Sequence, residues 1–162
     1  MKFKVNAIIP AGGTSSRFGN KNKLLEKINN KEVIKYTVEA FEKSNVDKII
    51  ICANIAIMDE LKEILKDCKK VQIIEGGATR QESVFNGLRA DECDYVLIHD
   101  AARPMISTDL INLAIEEVIS KKALTVATKT IDTIKEVQDG KIIRTICHQY
   151  LDKILHLFPI RL

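Results

Sequence analysis

Apolar residues follow two rhythms along this chain. Short, near-continuous runs alternate with stretches where apolar positions recur every three or four residues. Lys2 to Ile9, Lys48 to Ala53, Val71 to Ile74, Tyr95 to Ile98 and Leu124 to Ala127 are runs of the first kind. A strand covered on both faces need not alternate, so these runs predict buried strands. Between them, Ile34, Val38 and Phe41 keep helical spacing within Glu32 to Lys43, with Val33 and Thr37 beside them. Ile57, Leu61, Ile64 and Leu65 do the same, as do Val84, Phe85 and Leu88 within Arg80 to Arg89. A fourth helix is predicted behind an N-cap at Ser107, with Leu110, Ile111, Ala114, Ile115 and Val118 inward. Strand and helix alternating in this way predict an α/β fold, a doubly wound, mostly parallel sheet covered on both faces.

After Ala127 the rhythm changes. Strand-like runs from Thr133 to Val137 and from Lys141 to Thr145 flank Gln138-Asp139-Gly140. Asp-Gly between two such runs is a strong hairpin signal, so residues 132–145 are expected to leave the main sheet as a protruding β-arm. The tail from Cys147 to Leu162 shows no clear plan. Its apolar residues Tyr150, Leu151, Ile154, Leu155, Leu157 and Phe158 precede Pro159, which halts any helix.

Composition narrows the function classes. A chain of 162 residues at 46% apolar content is expected to be one domain with a real core. Its 25 basic and 22 acidic residues leave a net charge of +3, too mild to argue for nucleic acid. With few aromatics and no Trp, a stacking platform for single strands is not expected either. No apolar run approaches eighteen residues and no signal peptide is read, so no membrane partner is expected. Cys52, Cys68, Cys93 and Cys147 show neither metal-site spacing nor a disulfide framework. Reduced thiols in a cytoplasmic protein are the expectation.

The chemistry gathers in three loops, each after a predicted strand. Pro10-Ala11-Gly12-Gly13, followed by Arg17, Gly19 and Lys23, has the make-up of an anion cradle: backbone N–H groups, no Cβ in the way and full positive charges nearby. Five residues separate Gly13 from Gly19, so it is neither a P-loop nor a dinucleotide fingerprint. The alternative is an ordinary glycine-rich turn beside a solvated basic patch. In the second loop, from Gly76 to Ser83, Arg80 and Ser83 either read a base edge or are surface residues at a helix start. In the third, from His99 to Pro104, Asp100 is placed to meet a ribose hydroxyl, a divalent cation or a substrate hydroxyl. Otherwise it caps a turn and pairs with Arg103. His99 is read as packed rather than catalytic, and Cys52 as core. In open α/β sheets ligands sit at the carboxyl ends of strands near a topological switch point, so a shared rim is expected.

Together, PAGG…SRFG…K, GG-x-x-RQ-x-SV-x-x-GL and VLIHDAARP closely resemble the 2-C-methyl-D-erythritol 4-phosphate cytidylyltransferase family over about Val5 to Thr145. The sister ribitol 5-phosphate cytidylyltransferases share much of the pattern. The resemblance implies a nucleotide-diphospho-sugar transferase-like, Rossmann-like fold. It implies cytidylyl transfer from CTP to 2-C-methyl-D-erythritol 4-phosphate with release of pyrophosphate. Ribitol 5-phosphate or another phosphosugar as acceptor, or an inactive CTP-binding fragment, are the alternatives. By the same resemblance Pro10, Ala11, Gly12 and Gly13 cradle the CTP phosphates, while Arg17 and Lys23 stabilise charge at the α-phosphate. Gly77, Ala78, Arg80 and Ser83 match the cytosine-reading loop. Asp100, Ala101 and Arg103 match the motif beside the ribose and the second substrate. Thr133, in the Asp132-Thr133 pair at the base of the arm, would touch the sugar phosphate. Mg²⁺ is expected mainly on the CTP phosphates, with no metal ligands assigned to the protein, and the arm is expected to form a homodimer.

The departures from the family pattern are specific. Lys27, Asn30 and Glu32 stand where Pro, Gly and Pro are usual. Cys147-His148 replaces an Asp-Arg pair, no Thr-Pro-Gln follows, and a later substrate-positioning lysine has no counterpart. Residues 147–162 are therefore expected to be the product of truncation or a shifted frame rather than the family's continuation, leaving the sheet partly uncovered.

Overall fold

The computed structural model describes residues 3–13, 19, 21–129, 133–146, 152–154 (backbone only) and 157–162. In chain order the elements are β1 (Val5–Ala11), β2 (Lys27–Ile28), β3 (Lys31–Glu32), α1 (Val33–Glu42) and β4 (Lys48–Ala53). After a 3₁₀ turn at Ile55–Ile57 come α2 (Met58–Ile64), β5 (Val71–Glu75), α3 (Arg80–Ala90), β6 (Tyr95–His99) and α4 (Thr108–Lys121). The last part holds β7 (Ala127–Lys129), β8 (Ile134–Gln138), β9 (Lys141–Ile146), β10 (Asp152–Ile154) and β11 (Leu157–Arg161). No described helix is long and apolar enough to cross a membrane.

The main sheet runs β11-β6-β1-β4-β5. Its four inner-chain strands are parallel, with Ile8 opposite Ile50 and Ile98, and β11 is antiparallel, with Phe158 opposite Ile98. Period two operates within the apolar runs. Ala7, Ile9, Ala11, Ile49 and Ile51 face the large core shared with Ile34, Val38 and Phe41 of α1 and Ile111, Ala114 and Val118 of α4. Ile8, Ile50, Cys52 and Val96 face the other side, where Leu88 and Ala90 of α3 pack. Both faces are thus covered, as the continuous apolar runs require.

The predicted helix positions hold with one change of face. Ser107 caps α4 by accepting from the Leu110 N–H at 3.2 Å, and Leu110 is only half-buried while its four predicted partners are buried. On α3, however, the buried residues are Ser83 and Gly87, and Phe85 is 55% exposed. The cause is close approach. A Cβ on Gly87 would lie 2.8 Å from Ile8 Cγ2 and 3.1 Å from Cys52 Sγ, so the helix meets the sheet on its small residues.

The chain after α4 departs further from the expectation. The strand predicted over Leu124 to Ala127 is displaced to Ala127–Lys129, and it pairs with β10 rather than entering the main sheet. Its place beside β6 is taken by β11. Leu124 N–H donates to the Pro159 carbonyl and Val126 N–H to the Leu157 carbonyl, each at 3.1 Å, so residues 123–126 run along the far edge of β11. The end of the tail therefore has a definite plan, with Leu157 fully buried. Cys147 and His148 lie outside the described residues.

The hairpin forms as predicted. Asp139 (φ +50) and Gly140 (φ +74) both occupy left-handed conformations, as a two-residue turn matched to strand twist requires. Every described residue of β8 is exposed, as are all of β9 but Ile146. The arm leaves the sheet.

Candidate active site

The sheet's strand order reverses direction at β1. Successive strands β4 and β5 move outward on one side, and β6 then returns to the other. A crevice opens where such an order reverses, at the carboxyl ends of the strands. Here it is a cleft of about 610 Å³, lined by Pro10, Ala11, Gly12 and Gly13 after β1 and by Gly77, Ala78, Arg80 and Ser83 after β5. Asp100, Ala101 and Arg103 after β6 line it too, as does Lys23. Sequence reasoning placed all of these residues on one rim, and the fold brings them together. Thr133, exposed at the foot of the arm, is not among the described lining residues, and Arg17 and Asp132 lie outside the described region.

The first loop leaves room. A Cβ on Gly12 would make only ordinary contacts, 3.5 Å from Ser83 Oγ, and one on Gly13 would meet nothing within 4 Å. Neither has positive φ. Backbone strain therefore does not demand glycine here, and the open space above the loop is left for a ligand. Lys23 is brought to the same cleft by a strap pinned at both ends. Leu24 is buried in the core and its carbonyl accepts from Ile34 N–H at 3.1 Å, while the Glu26 carbonyl accepts from Val33 N–H at 2.9 Å. The orphan N–H groups of the first turn of α1 thus anchor the segment that follows the glycine loop.

The second loop is locked by the first turn of α3. Thr79 caps the helix, its Oγ1 accepting from Glu82 N–H at 3.1 Å. Ser83 is 2% exposed; its Oγ accepts from Gly77 N–H at 2.9 Å and donates to the Thr79 carbonyl at 2.9 Å. The Glu82 carboxylate accepts from Ala78 N–H at 2.8 Å and its stem fills the space a Gly77 Cβ would need. Ser83 is thus as much a clamp on its own loop as a group facing the cleft. Thr79, with Leu24 and Ala102, also lines the cleft and was not singled out in the sequence. The Thr-x-x-Glu capping pattern was the available signal for Thr79.

The third loop carries the charge. Arg80 donates to Asp100 Oδ1 from Nε at 3.0 Å and from Nη2 at 2.9 Å, bridging the second and third loops. Arg103 Nε stands 3.5 Å from Asp100 Oδ2. Asp100 thus pairs with Arg103 across its own turn, as one sequence alternative has it, and it also lines the cleft. Half-exposed arginines beside a mostly covered carboxylate give the rim a net positive character. His99 is buried, with Nε2 donating to the Arg103 carbonyl at 3.2 Å and its ring 5.4 Å from that of Phe41. It supports the loop rather than the cleft. Cys52 is fully buried, and burial pushes its thiol up to about 11, so it is core and not a nucleophile.

Asp100 is the one carboxylate among the cleft's described lining residues, and no described cluster of three His, Cys, Asp or Glu could cage a metal ion. To a hard cation the described lining offers one carboxylate, that of Asp100.

The comparisons with known proteins agree with this geometry. The family model described as 2-C-methyl-D-erythritol 4-phosphate cytidylyltransferase matches residues 5–156. A relative of that name from Clostridioides difficile is 38% identical over 147 residues, covering 86% of this chain and 62% of the relative. One from Lachnoclostridium phytofermentans is 40% identical over 146 residues, with 86% and 63% covered. The crystal structure of 4-diphosphocytidyl-2C-methyl-D-erythritol synthase from Anaerococcus prevotii superposes with a TM-score of 0.86 at 27% identity, covering 98% of this chain and 71% of that one. The chain spans somewhat under two thirds of the length of these two curated relatives. With the family match running through both the three-loop cleft and the arm, this chain belongs to the 2-C-methyl-D-erythritol 4-phosphate cytidylyltransferase family.

Proposed function

We propose that the cleft binds CTP and that the chain serves cytidylyl transfer from CTP to 2-C-methyl-D-erythritol 4-phosphate, releasing pyrophosphate, in isoprenoid precursor synthesis. The observation that carries this reading is the meeting of three loops, after β1, β5 and β6, at one positively charged crevice. In the reaction an acceptor phosphate oxygen attacks the α-phosphorus of CTP and the bond to pyrophosphate breaks. Two polyanions must come together, so neutralisation and in-line positioning are most of the task. Ala11, Gly12 and Gly13 offer backbone to the triphosphate, and Lys23 and Arg17 offset charge at the α-phosphate. Gly77, Ala78 and Ser83 form the wall against which the base rests. Arg80 and Arg103 hold Asp100 toward the ribose and the acceptor, and Thr133 faces the acceptor phosphate. Asp100 is the cleft carboxylate that would help hold a bound Mg²⁺, which would add to the neutralisation of phosphate charge. No covalent intermediate with the protein is required.

The arm supports a homodimer. Its exposed Ile134, Val137, Ile142 and Ile143 are 38–64% accessible. An isolated hairpin is marginal in water and gains stability from a partner surface. The free thiols of Cys52, Cys68 and Cys93 suit a cytoplasmic setting.

The test is calorimetric titration with CTP, UTP and ATP, followed by CTP-dependent pyrophosphate release with each acceptor. Selective CTP binding with release driven by methylerythritol phosphate is the expected outcome. Preference for ribitol 5-phosphate moves the chain to the sister reaction. CTP binding without release from any acceptor identifies a nucleotide-binding module. No nucleotide binding overturns the reading.

A further inference from the structure

The turn that carries Asp100 and Arg103 into the cleft is held from beneath by two buried side chains. One is His99, on the strand that leads into the turn. The other is Thr37, in the middle of α1, fully buried and separated from the turn by 64 residues. Its Oγ1–H donates to the Ala101 carbonyl at 2.9 Å. A helical threonine usually bonds back to a carbonyl of its own helix. Here the hydroxyl reaches across the core to the loop. Valine has nearly the same shape and would pack among Ile34, Val38 and Phe41 as well. What the hydroxyl adds is a partner for one buried carbonyl, and that carbonyl belongs to a cleft-lining residue.

We propose that Thr37 is a positioning residue: its hydroxyl fixes the Asp100–Arg103 turn, and so sets where the Asp100 carboxylate and the guanidiniums bound to it stand in the cleft. The functional part of this role rests on reading the cleft as the nucleotide site. Without the hydroxyl, the Ala101 carbonyl is a buried acceptor with no partner, which is costly. The peptide relieves that cost by turning toward water. Asp100 is the adjoining residue, and both Arg80 and Arg103 are tied to it. The turn would then keep its ties at His99 and through Arg80 but lose the one from beneath, and could shift as a unit.

A matched control lies on α4. Thr108 Oγ1 donates to the Ala40 carbonyl at 3.0 Å, near the other end of α1, and Thr108 does not line the cleft. Thr37→Val and Thr108→Val each delete one side chain–backbone hydrogen bond at constant shape. Thr37→Ser keeps the donor. The experiment is amide hydrogen exchange over residues 100–103, with CTP affinity measured by calorimetry well below the melting temperature. Thr37→Val is expected to exchange at least tenfold faster there and to bind CTP at least fivefold more weakly. Thr37→Ser should restore both, and Thr108→Val should change neither, even if it melts equally early. If Thr37→Val and Thr108→Val behave alike at the turn, Thr37 only packs and the proposal fails. If the wild-type chain binds no CTP, the nucleotide reading fails separately, and exchange at the turn alone decides the role of Thr37.

Discussion

Gly87→Ala tests whether the fit of α3 on the sheet sets the site. The added methyl would stand 2.8 Å from Ile8 Cγ2 and 3.1 Å from both Ile8 Cδ1 and Cys52 Sγ. Ordinary carbon–carbon contact begins near about 3.5 Å, so the overlap is several tenths of an ångström. Ile8 and Cys52 are at most 1% exposed and lie on paired parallel strands, so neither side chain has space to swing away. Overpacking of this kind costs about 1–3 kcal/mol. Replacing glycine by alanine inside a helix returns about 0.5–1 kcal/mol. The net expectation is a loss of up to about 2.5 kcal/mol, about 1 kcal/mol near the middle of the two ranges, or roughly 2–4 °C in Tm at that middle value for a domain of this size.

The strain has a direction. It lifts α3 off the sheet, and Ser83 lies one turn earlier on the same buried face, with its grip on Gly77 and Thr79. CTP affinity should therefore fall with stability. Ile8→Ala removes both offending carbons and alone costs about 2–5 kcal/mol. Combined with Gly87→Ala it should cost less than the sum, with a coupling of about 0.5–3 kcal/mol. Thermal and denaturant unfolding of the four proteins measures this cycle. A Gly87→Ala protein as stable as wild type, or strict additivity with Ile8→Ala, would refute the reasoning.

Lys23→Ala should lower turnover by on the order of a hundredfold, more than it weakens CTP binding, because charge crowds most at the α-phosphorus during transfer; equal losses in kcat and affinity would mean simple phosphate holding. Asp91 should show in acid: hydrogen bonds from Lys4 and Lys48 hold its carboxyl down to about 2, so its stabilisation is present above about pH 4 and is lost as pH falls toward 2. Asp91→Asn should lower Tm at pH 7 and converge on wild type near pH 2, and a constant difference across that range would contradict the assignment. Gly140→Val places a β-branched residue at φ +74 and should unravel the arm, seen as loss of cross-strand contacts by NMR and, if the arm dimerises the protein, as a monomer in sedimentation. Deleting residues 157–162 uncovers the edge of β6 and removes the burial of Leu157, worth about 1.5–3 kcal/mol for that side chain alone, so the shortened chain should melt markedly earlier; an unchanged Tm would count against β11.

Apart from the short, exposed β2–β3 pair, the elements through β6 and α4 were legible because local pattern and burial agree there. Continuous apolar runs marked strands covered on both faces, and the cleft was legible because its residues sit directly after those strands. The face of α3 was not, since pattern alone favours Phe85, whereas the sheet selects residues by how little they project, and Gly87 and Ser83 project least. Thr37 was read as a neighbour of apolar positions, which it is; its partner lies 64 residues away and no local signal points to it. β11 escaped for a related reason. A proline speaks against an interior strand, and only the pairing shows how Pro159 fits, with its carbonyl accepting from Leu124 while it has no N–H to leave unpaired.

That position also separates fold from chemistry in this chain. The slot between β6 and residues 123–126 asks for backbone pairing on two edges and an apolar side chain or two turned inward, which Leu157 and Pro159 supply. Many sequences meet such a demand, so departure from the family pattern in the tail leaves the sheet intact. A residue that must place a charge against an acceptor phosphate has no such latitude. The loops after β1, β5 and β6 carry the motifs of the family resemblance and form one cleft, while Cys147-His148 stands where that resemblance implies an Asp-Arg pair. Retention of structure by the tail is therefore no argument for retention of its chemistry. The acceptor-dependent step, rather than CTP binding, is therefore the more demanding test of the proposed reaction.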